Sequence, residues 1–250
     1  MRTFAVLPVK SFGMAKQRLG EAVAGVERTA LAAAMAGDVL EALGSVRGLE
    51  GVIVVSAEAE GIGKAGIEGM RDAAEGFATG TADIEERHDA AARSGPAPAA
   101  LEVVHDPEEV GQSAAAARGV RAALARGAQR VLLVPGDCPA LEPDEVGELL
   151  ETAGPGVVIV PDRHGSGTNA LLIAPPTVVE PAFGPGSFAR HAALAHAAGA
   201  RVRVAHAPSL ELDVDTPGDL ETLRSALDAR AGGAARTRAL LERLAGARAA

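Results

Sequence analysis

Aromatic side chains are scarce in this sequence, which has no Trp, no Tyr and only five Phe among 250 residues. Proteins that bind single-stranded nucleic acid stack its bases on aromatic rings. Proteins that bind duplex DNA neutralise its phosphates with clustered positive charge. The formal net charge of −9 supplies no such basic surface. We therefore expect no nucleic-acid partner.

Cysteine and long apolar runs are equally scarce. Cys138 is the single cysteine, so no intramolecular disulfide can form, which suits a reducing cytosol. There is no apolar run of membrane-spanning length and no charged-then-apolar signal peptide. We expect a cytoplasmic protein that does not enter a membrane. The length and the 48% hydrophobic content predict a single domain, 1–250, with a substantial core.

Alternating apolar segments and amphipathic segments predict an α/β fold with a mostly parallel, twisted sheet and flanking helices. Residues 131–134, VLLV, are apolar on both faces, which is typical of a strand in a parallel sheet. A strand at 2–7 that Pro8 ends, a helix at 27–43 and a strand at 52–55 form a βαβ unit with neighbouring parallel strands. Further strands are predicted at 101–105, 157–160, 170–174, 202–206 and 211–215, and further helices at 113–126, 144–152, 187–198 and 217–228.

Two segments fit this alternation less well. The composition of residues 57–100 indicates a surface insertion. This segment contains GIGKAG at 61–66, which has the glycine spacing of a dinucleotide-binding fingerprint. A dinucleotide fingerprint needs its first glycine directly after a strand and an acidic residue at the end of the next strand, and neither is present. Residues 229–250 predict a helical tail, which is a candidate contact for a homodimer.

Lysine is rare, and two of the three lysines lie in one loop. Lys10, Lys16 and Arg18 follow the first strand, whereas the chain contains 21 Arg and three Lys in all. Three cations beside backbone N–H groups are suited to a polyphosphate. Solvated loop side chains are the alternative interpretation for each residue taken singly.

Three aspartates are candidate metal ligands. Asp137 follows the strand 131–134, and ligands of open α/β sheets bind outside the carboxyl ends of strands. Asp213 and Asp215 are two residues apart on an extended segment, so they point to the same side. Mg²⁺ takes one or two carboxylates and keeps water and phosphate oxygens as its other ligands. Asp137 with Asp215 is the preferred pair. The alternatives are a turn that ends the strand at Asp137 and a helix cap at Asp215.

A second anion site is predicted at Thr168, Gly184 and Ser187. Gly184 and Gly186 allow close approach of the backbone, and Ser187 sits where an N-cap belongs, so the N–H groups of the next helix face a ligand. Arg190 lies one turn further. A plain capped helix after a Pro/Gly loop is the alternative.

These motifs resemble the CofC/FbiD family of phosphoester guanylyltransferases, over nearly the whole chain. The resemblance rests on six ordered motifs: PVKSFGMAKQRL with ERTALAAAMAGDVLEAL, then LLVPGDCPAL, PDRHGSGTNALL, GPGSFARH and LDVDTPGDL. Two features depart from the family. Residues 111–113 read Gly-Gln-Ser where many relatives have Gly-Leu-Asn, and the 57–100 insertion is longer than expected.

The resemblance implies a nucleotidyltransferase fold, which is glycosyltransferase-A-like and Rossmann-like, and a role in coenzyme F-420 biosynthesis. The family joins the GMP part of GTP to 2-phospholactate or phosphoenolpyruvate and releases pyrophosphate. On that basis Pro8, Lys10, Lys16 and Arg18 bind the nucleotide, with Lys16 and Asp137 catalytic. Asp137 and Asp215 hold Mg²⁺, and Thr168, Gly184 and Ser187 bind the phospho-acid.

Two other functions fit parts of the sequence. A cytidylyl- or guanylyltransferase that acts on molybdopterin would share the fold. A nucleotide-binding regulatory protein without turnover would have lost the metal carboxylates, and all three aspartates are present.

Overall fold

The computed structural model describes residues 1–11, 19–20, 23, 25–57 and 100–249. Within them, seven strands form one mixed sheet in the order β3-β2-β1-β4-β6-β5-β7. The strands are β1 Thr3–Val9, β2 Gly51–Ser56, β3 Ala100–His105, β4 Arg130–Leu133, β5 Gly156–Pro161, β6 Thr168–Ala174 and β7 Val202–Val204. The helices are α1 Gly25–Gly44, α2 Gln112–Ala125, α3 Pro143–Thr152, α4 Ser187–Ala197, α5 Pro208–Glu211, α6 Pro217–Asp228 and α7 Ala235–Ala249.

The predicted βαβ unit is confirmed, because β1 and β2 are parallel neighbours with Val6 opposite Ile53. β4 lies parallel to β1 on its other side. β6 runs antiparallel to both β4 and β5. The connection between β5 and β6 spans only residues 162–167, and a parallel crossover needs a dozen residues or more. The short connection therefore reverses the chain and brings the start of β6 to the edge where β1 and β4 end.

The strand β1 continues through Pro8, where the sequence predicted its end. The carbonyl of Val6 accepts from the Val134 amide, so Val6 faces β4. Pro8, two residues on, faces the same side but lies beyond the end of β4, while it pairs with Val55 on β2. A missing N–H costs no ladder hydrogen bond there, so proline is tolerated.

The predicted strand at 211–215 is wrong. Pro208–Glu211 form the short helix α5, and Leu212 to Asp215 pair with no strand of the sheet. A proline at the first helical position favours the helix over an extended chain. Likewise β7 ends at Val204 rather than at residue 206.

Helices cover both faces of the sheet. α1 and α3 pack on one face, where Leu43 and Leu150 lie in a core with Leu7 and Leu132. α2 packs on the other face very closely, since a Cβ on Gly119 would lie 2.3 Å from Cγ1 of Val6. Only glycine fits this approach of helix to strand.

A third apolar cluster joins the outer face of α1 to the C-terminal helices. Leu31 of α1, Leu223 of α6 and Leu240 of α7 belong to it. The carboxylate of Asp38 accepts hydrogen bonds from the amides of Arg236, at 3.0 Å, and Thr237, at 2.8 Å, in the first turn of α7. The tail predicted at 229–250 therefore contains a helix that packs on its own chain.

Candidate active site

The carboxyl ends of β1 and β4 bring the first predicted site residues together. The two strands are parallel neighbours, with Val6 opposite Leu133. Lys10 follows β1 directly and is exposed, and Asp137 lies four residues after the end of β4 and is partly buried. A Cβ on Gly136 would lie 3.8 Å from Cγ2 of Val9, so the two strand ends are close together. Lys16 and Arg18 lie outside the described residues.

The segment 212–215 lies beside Asp137 even though it is not a strand. The amide of Val214 donates to the carbonyl of Asp137 at 3.1 Å. Leu212 and Val214 point into the third apolar cluster. In an extended chain alternate residues point to opposite sides. Asp213 and Asp215 therefore share the side turned away from that cluster, as the sequence indicated.

Asp137, Asp213 and Asp215 are called the carboxylate cluster below. Burial raises the pKa of Asp213, and the nearby negative charges of Asp137 and Asp215 raise it further. A hydrogen bond from the side-chain amide of Asn169, at 3.2 Å, opposes this shift by stabilising the charged form. The cluster thus concentrates negative charge that a bound cation would neutralise.

The carboxylate cluster does not by itself form a complete metal site. In the described part of the chain, no group of three or more His, Cys, Asp or Glu side chains has an arrangement that could hold a metal. Mg²⁺ needs only one or two carboxylates when phosphate oxygens and water complete its shell. The helix-cap alternative for Asp215 is filled by other residues, because Thr216 and Asp219 form a capping box at the start of α6.

The connection between β5 and β6 is held in shape by Asp162. Its carboxylate accepts from the amides of His164, Ser166 and Gly167, at 3.1, 2.9 and 2.9 Å. Arg163 then ties the connection to the C-terminal part of the chain, because its amide donates to the Glu211 carbonyl at 2.9 Å. These bonds fix where β6 begins, and hence where Thr168 lies.

The loop before α4 contains the two glycines that the sequence singled out. Gly184 and Gly186 have φ of +110° and +71°, values that L side chains rarely adopt. Arg190 holds this loop through the carbonyls of Ala182 and Pro185, at 3.2 and 2.8 Å. Its guanidinium is thus engaged by the loop itself, which limits the role in anion binding that its sequence position suggested.

Ser187 is not the N-cap of α4. It is the first helical residue, Gly186 in a left-handed conformation is the cap, and no side chain caps this end. The glycine pair shifts the helix start by one residue, since Gly186 can adopt a conformation closed to serine. Ser187 is 1% exposed. Thr168, Gly184 and Ser187, the anion site that the sequence predicts, are called the anion cradle below.

Thr168 and Asn169 join the anion cradle to the carboxylate cluster. Consecutive residues of a strand point to opposite faces. Thr168 Oγ1 lies 3.0 Å from Nδ1 of His191 on α4, whereas Asn169 donates to Asp213. The sequence analysis missed both His191 and Asn169. His191 follows Ser187 by four residues, so the two share one face of a helix, and that spacing was the available signal.

The start of α2 touches the same region from the other side. Gly111 precedes it with φ +133° and ψ 170°, a conformation nearly restricted to glycine. Ser113 Oγ lies 3.5 Å from the Phe183 carbonyl of the loop before α4. Ser11, after β1, binds the carboxylate of Glu109 through its amide and its hydroxyl. Residues 111–113, where the sequence differs from the family, therefore lie between the segment after β1 and the loop before α4.

Burial, helped by the positive charge of Arg190, lowers the pKa of His191 to about 4. The ring is 0% exposed, and the Ala182 amide donates to its Nε2 at 2.8 Å. His191 is therefore neutral at pH 7.

The described helices include none that is long and apolar enough to cross a membrane.

A family model described as "Guanylyl transferase CofC like" matches residues 3–77 and 99–229. It leaves residues 78–98 unmatched, within the segment where an insertion is predicted. A phosphoenolpyruvate guanylyltransferase of Conexibacter woesei is 44% identical over 247 residues, which are 98% of this chain and 97% of the relative. One of Rubrobacter xylanophilus is 38% identical over 230 residues, 90% of this chain and 95% of the relative.

Solved structures of low sequence identity share the fold. A nucleotidyl transferase from Methanothermobacter thermautotroptrophicus superposes with a TM-score of 0.52 at 21% identity, and covers 92% of this chain and 99% of its own. At this identity the likeness concerns the fold alone, and it confirms the expected nucleotidyltransferase architecture.

Proposed function

The chain belongs to the CofC-like guanylyl transferase family, and on that premise we propose that it transfers GMP from GTP to the phosphate of a small phospho-acid. Pyrophosphate leaves, and the product serves coenzyme F-420 biosynthesis. The observation that carries this proposal is the junction at Thr168 and Asn169. Of these adjacent residues, Thr168 belongs to the anion cradle, and Asn169 donates to Asp213 of the carboxylate cluster.

The reaction needs little covalent help from the protein. An oxygen of the phospho-acid phosphate attacks the α-phosphorus of GTP, and the bond from that phosphorus to the bridging oxygen of the β-phosphate breaks. A phosphate monoester is already anionic at neutral pH, so no general base is required. Positioning and charge neutralisation supply most of the catalysis in such transfers.

The nucleotide side is assigned to the segment that follows β1. Pro8 and Lys10 stand at the strand end, and Lys16 and Arg18 add two further cations to the same loop. We assign the GTP phosphates to these residues, with Lys16 neutralising charge that develops on the leaving pyrophosphate. Cationic side chains aimed at phosphate form hydrogen bonds about twice as strong as neutral ones.

Asp137 and Asp215 would hold Mg²⁺, with Asp213 as the neighbouring carboxylate. Such an ion neutralises the phosphate oxygens of a bound nucleotide and orients them. The protein's own contribution is to fix the ligands. The Val214 amide bonds the Asp137 carbonyl, and the Asn169 amide holds Asp213.

The anion cradle is assigned to the phospho-acid. Phosphoenolpyruvate is the preferred substrate, because the relatives named above are phosphoenolpyruvate guanylyltransferases. 2-Phospholactate carries the same carboxylate and phosphate and remains the second candidate. Neither the molybdopterin nucleotidyltransferase nor the regulatory protein is favoured, since the family match covers most of the chain.

The enzyme is proposed to work in the cytosol, where a single buried thiol such as Cys138 stays reduced. GTP and the phospho-acid are its proposed partners, and a homodimer remains a prediction.

A direct assay tests this function. The purified protein is incubated with Mg²⁺, one nucleoside triphosphate and one phospho-acid, and pyrophosphate and the coupled product are measured. We expect turnover with GTP and phosphoenolpyruvate to exceed turnover with CTP or ATP. Equal turnover of a molybdopterin substrate with CTP would contradict the proposal, as would GTP binding without pyrophosphate release.

A further inference from the structure

We propose that His191 is a positioning residue, which fixes the Thr168 hydroxyl as a hydrogen-bond donor toward the anion of the phospho-acid. This inference rests on the proposed function, because it concerns the substrate of the same site. The His191 side chain is fully buried and contacts the cradle residue Thr168 through its ring. It therefore acts through another side chain.

The proton of the neutral ring has one possible place. Nε2 of His191 lies 2.8 Å from the Ala182 amide nitrogen. A backbone N–H can only donate, so Nε2 must accept and carries no proton. A neutral imidazole has a single N–H, and it must then lie on Nδ1. The backbone of the loop before α4 thus selects the tautomer.

The tautomer in turn fixes the direction of the Thr168 hydroxyl. Nδ1 lies 3.0 Å from Thr168 Oγ1, so Nδ1–H donates and the hydroxyl oxygen accepts. The reverse polarity would need a bare Nδ1 and would place a proton on Nε2 against the Ala182 N–H. With its oxygen engaged by His191, the hydroxyl has its one proton left to donate to a ligand. A carboxylate or phosphate oxygen is the matching partner.

The same ring also sets the distance between the two halves of the anion cradle. Through Thr168 it holds the start of β6, and through Ala182 it holds the loop that contains Gly184. The Phe183 ring packs edge-on against it, with ring centroids 5.1 Å apart at 75°. His191 follows Ser187 by one helical turn on α4. One buried side chain therefore fixes Thr168, the 182–186 loop and the face of α4 that carries Ser187.

The test separates positioning from plain stability. His191→Phe keeps a planar ring but removes both hydrogen bonds, and Thr168→Val removes the hydroxyl. Each change should raise KM for phosphoenolpyruvate about tenfold, the scale of one hydrogen bond to a charged group. The KM for GTP and kcat should stay within about twofold in both variants. The double variant should resemble Thr168→Val alone, because His191 acts through Thr168.

Two further variants keep the result interpretable. His191→Asn retains an amide that can donate to Thr168 and should recover part of the phosphoenolpyruvate affinity. His196→Phe changes an exposed histidine of the same helix and should leave every constant unchanged. Multiplicative effects of the two single changes on KM for phosphoenolpyruvate would overturn the inference, as would equal losses for GTP.

A measurement on the unmodified protein covers the case in which His191→Phe does not fold. Nitrogen NMR of the wild-type histidines at pH 7 should show one ring protonated on Nδ1 alone. A proton on Nε2 of His191, or a charged ring, would overturn the inference whatever the kinetics. Failure of the wild type to release pyrophosphate from GTP with either phosphoenolpyruvate or 2-phospholactate would instead refute the proposed function and leave the tautomer assignment standing.

Discussion

The carboxylate cluster and the anion cradle lie at one edge of the same sheet but are built on opposite principles. In the cluster, Asp137 and Asp215 raise the pKa of Asp213 by repulsion, on top of its burial. Beside the cradle, His191 is neutral, and each of its ring nitrogens has a partner, at 3.0 and 2.8 Å. The carboxylate cluster holds like charges that repel each other, whereas the buried polar groups at the cradle are hydrogen-bonded within the protein.

This difference indicates what each region contributes before any ligand binds. Hydrogen-bonded polar groups that are buried rigidify a site and favour one geometry. Like charges held close together cost free energy of folding until a cation neutralises them. We therefore expect the cradle to stabilise the fold and the cluster to destabilise it. The predictions below test that division, from the largest expected effect to the smallest.

Asp137→Asn should lower kcat by at least about a hundredfold, the scale of a lost electrostatic stabiliser. The melting temperature should stay level or rise, because the change relieves repulsion on Asp213. Steady-state kinetics at saturating Mg²⁺ and calorimetric melting measure the two effects. Asp144→Asn, on an exposed face of α3, is the control for activity and should leave kcat unchanged. Turnover close to wild type would remove Asp137 from the site.

The neutral state of His191 should make the fold sensitive to acid. The ring has a pKa of about 4 in the folded protein against an ordinary value of 6.5. Below pH 6.5 His191 is protonated in the unfolded chain but stays neutral in the folded protein. The free energy of unfolding therefore falls as the pH drops from 6.5 toward 4 and changes little above pH 7. Between pH 7 and pH 4.5 this difference is worth about 2 to 3 kcal/mol.

Urea unfolding of wild type and His191→Asn at both pH values isolates this contribution from the other titrating groups. The stability advantage of the wild type over the variant should shrink by about 2 to 3 kcal/mol at pH 4.5. The matched variant His196→Asn should show no such change. An advantage that is independent of pH would mean that His191 has the same pKa in the folded protein as in the unfolded chain.

Gly184→Val should raise KM for phosphoenolpyruvate by about tenfold, because a β-branched side chain at φ +110° costs about 1–3 kcal/mol and distorts the loop. The affinity for GTP should stay near normal, since the nucleotide is assigned to the loop after β1. Initial-rate kinetics with each substrate varied in turn measure both. Loss of GTP binding with normal phosphoenolpyruvate binding would show that the two sites are assigned the wrong way round.

Ser187→Ala should have the smallest effect, about 0.5–1.5 kcal/mol in phosphoenolpyruvate binding, because the backbone N–H groups beside the anion remain and partly replace the lost hydroxyl hydrogen bond. Since Ser187 caps no helix end, its loss should leave the melting temperature of the protein within about a degree. Titration calorimetry and thermal melting check the two expectations. A lower melting temperature with unchanged binding would restore the structural interpretation of this serine.

The sequence predicted the strands and helices well wherever hydrophobic periodicity was strong. It was wrong where the outcome depended on neighbours in space. Pro8 extends β1 because β4 has already ended beside it, and no local pattern reports the length of another strand. Residues 211–215 alternate as a strand would, yet a proline three residues earlier begins α5 and leaves Asp213 outside the sheet.

The site was predicted unevenly for the same reason. Asp137, Thr168 and Gly184 follow strand ends or glycine turns, and both leave local signals. His191 reads as an ordinary helical residue until Ala182 and Thr168 are found on its two nitrogens. Asn169 likewise gains its role only from Asp213, which lies 44 residues away. Hydrogen bonds between segments that are distant in the chain cannot be predicted from the local pattern of either segment.

The junction at Thr168 and Asn169 has a consequence for redesign of substrate choice. Their Cα atoms are about 3.8 Å apart, one trans peptide unit, so a backbone adjustment that reshapes the pocket at Thr168 also moves the amide that steadies Asp213. A substitution that enlarges the site at Thr168 would therefore be expected to lower turnover while it broadens the range of substrates. The loop at 182–186 carries Gly184 of the cradle and is held by His191 and Arg190. If the proposed phospho-acid site is right, this loop is the place to change in order to admit new phospho-acids.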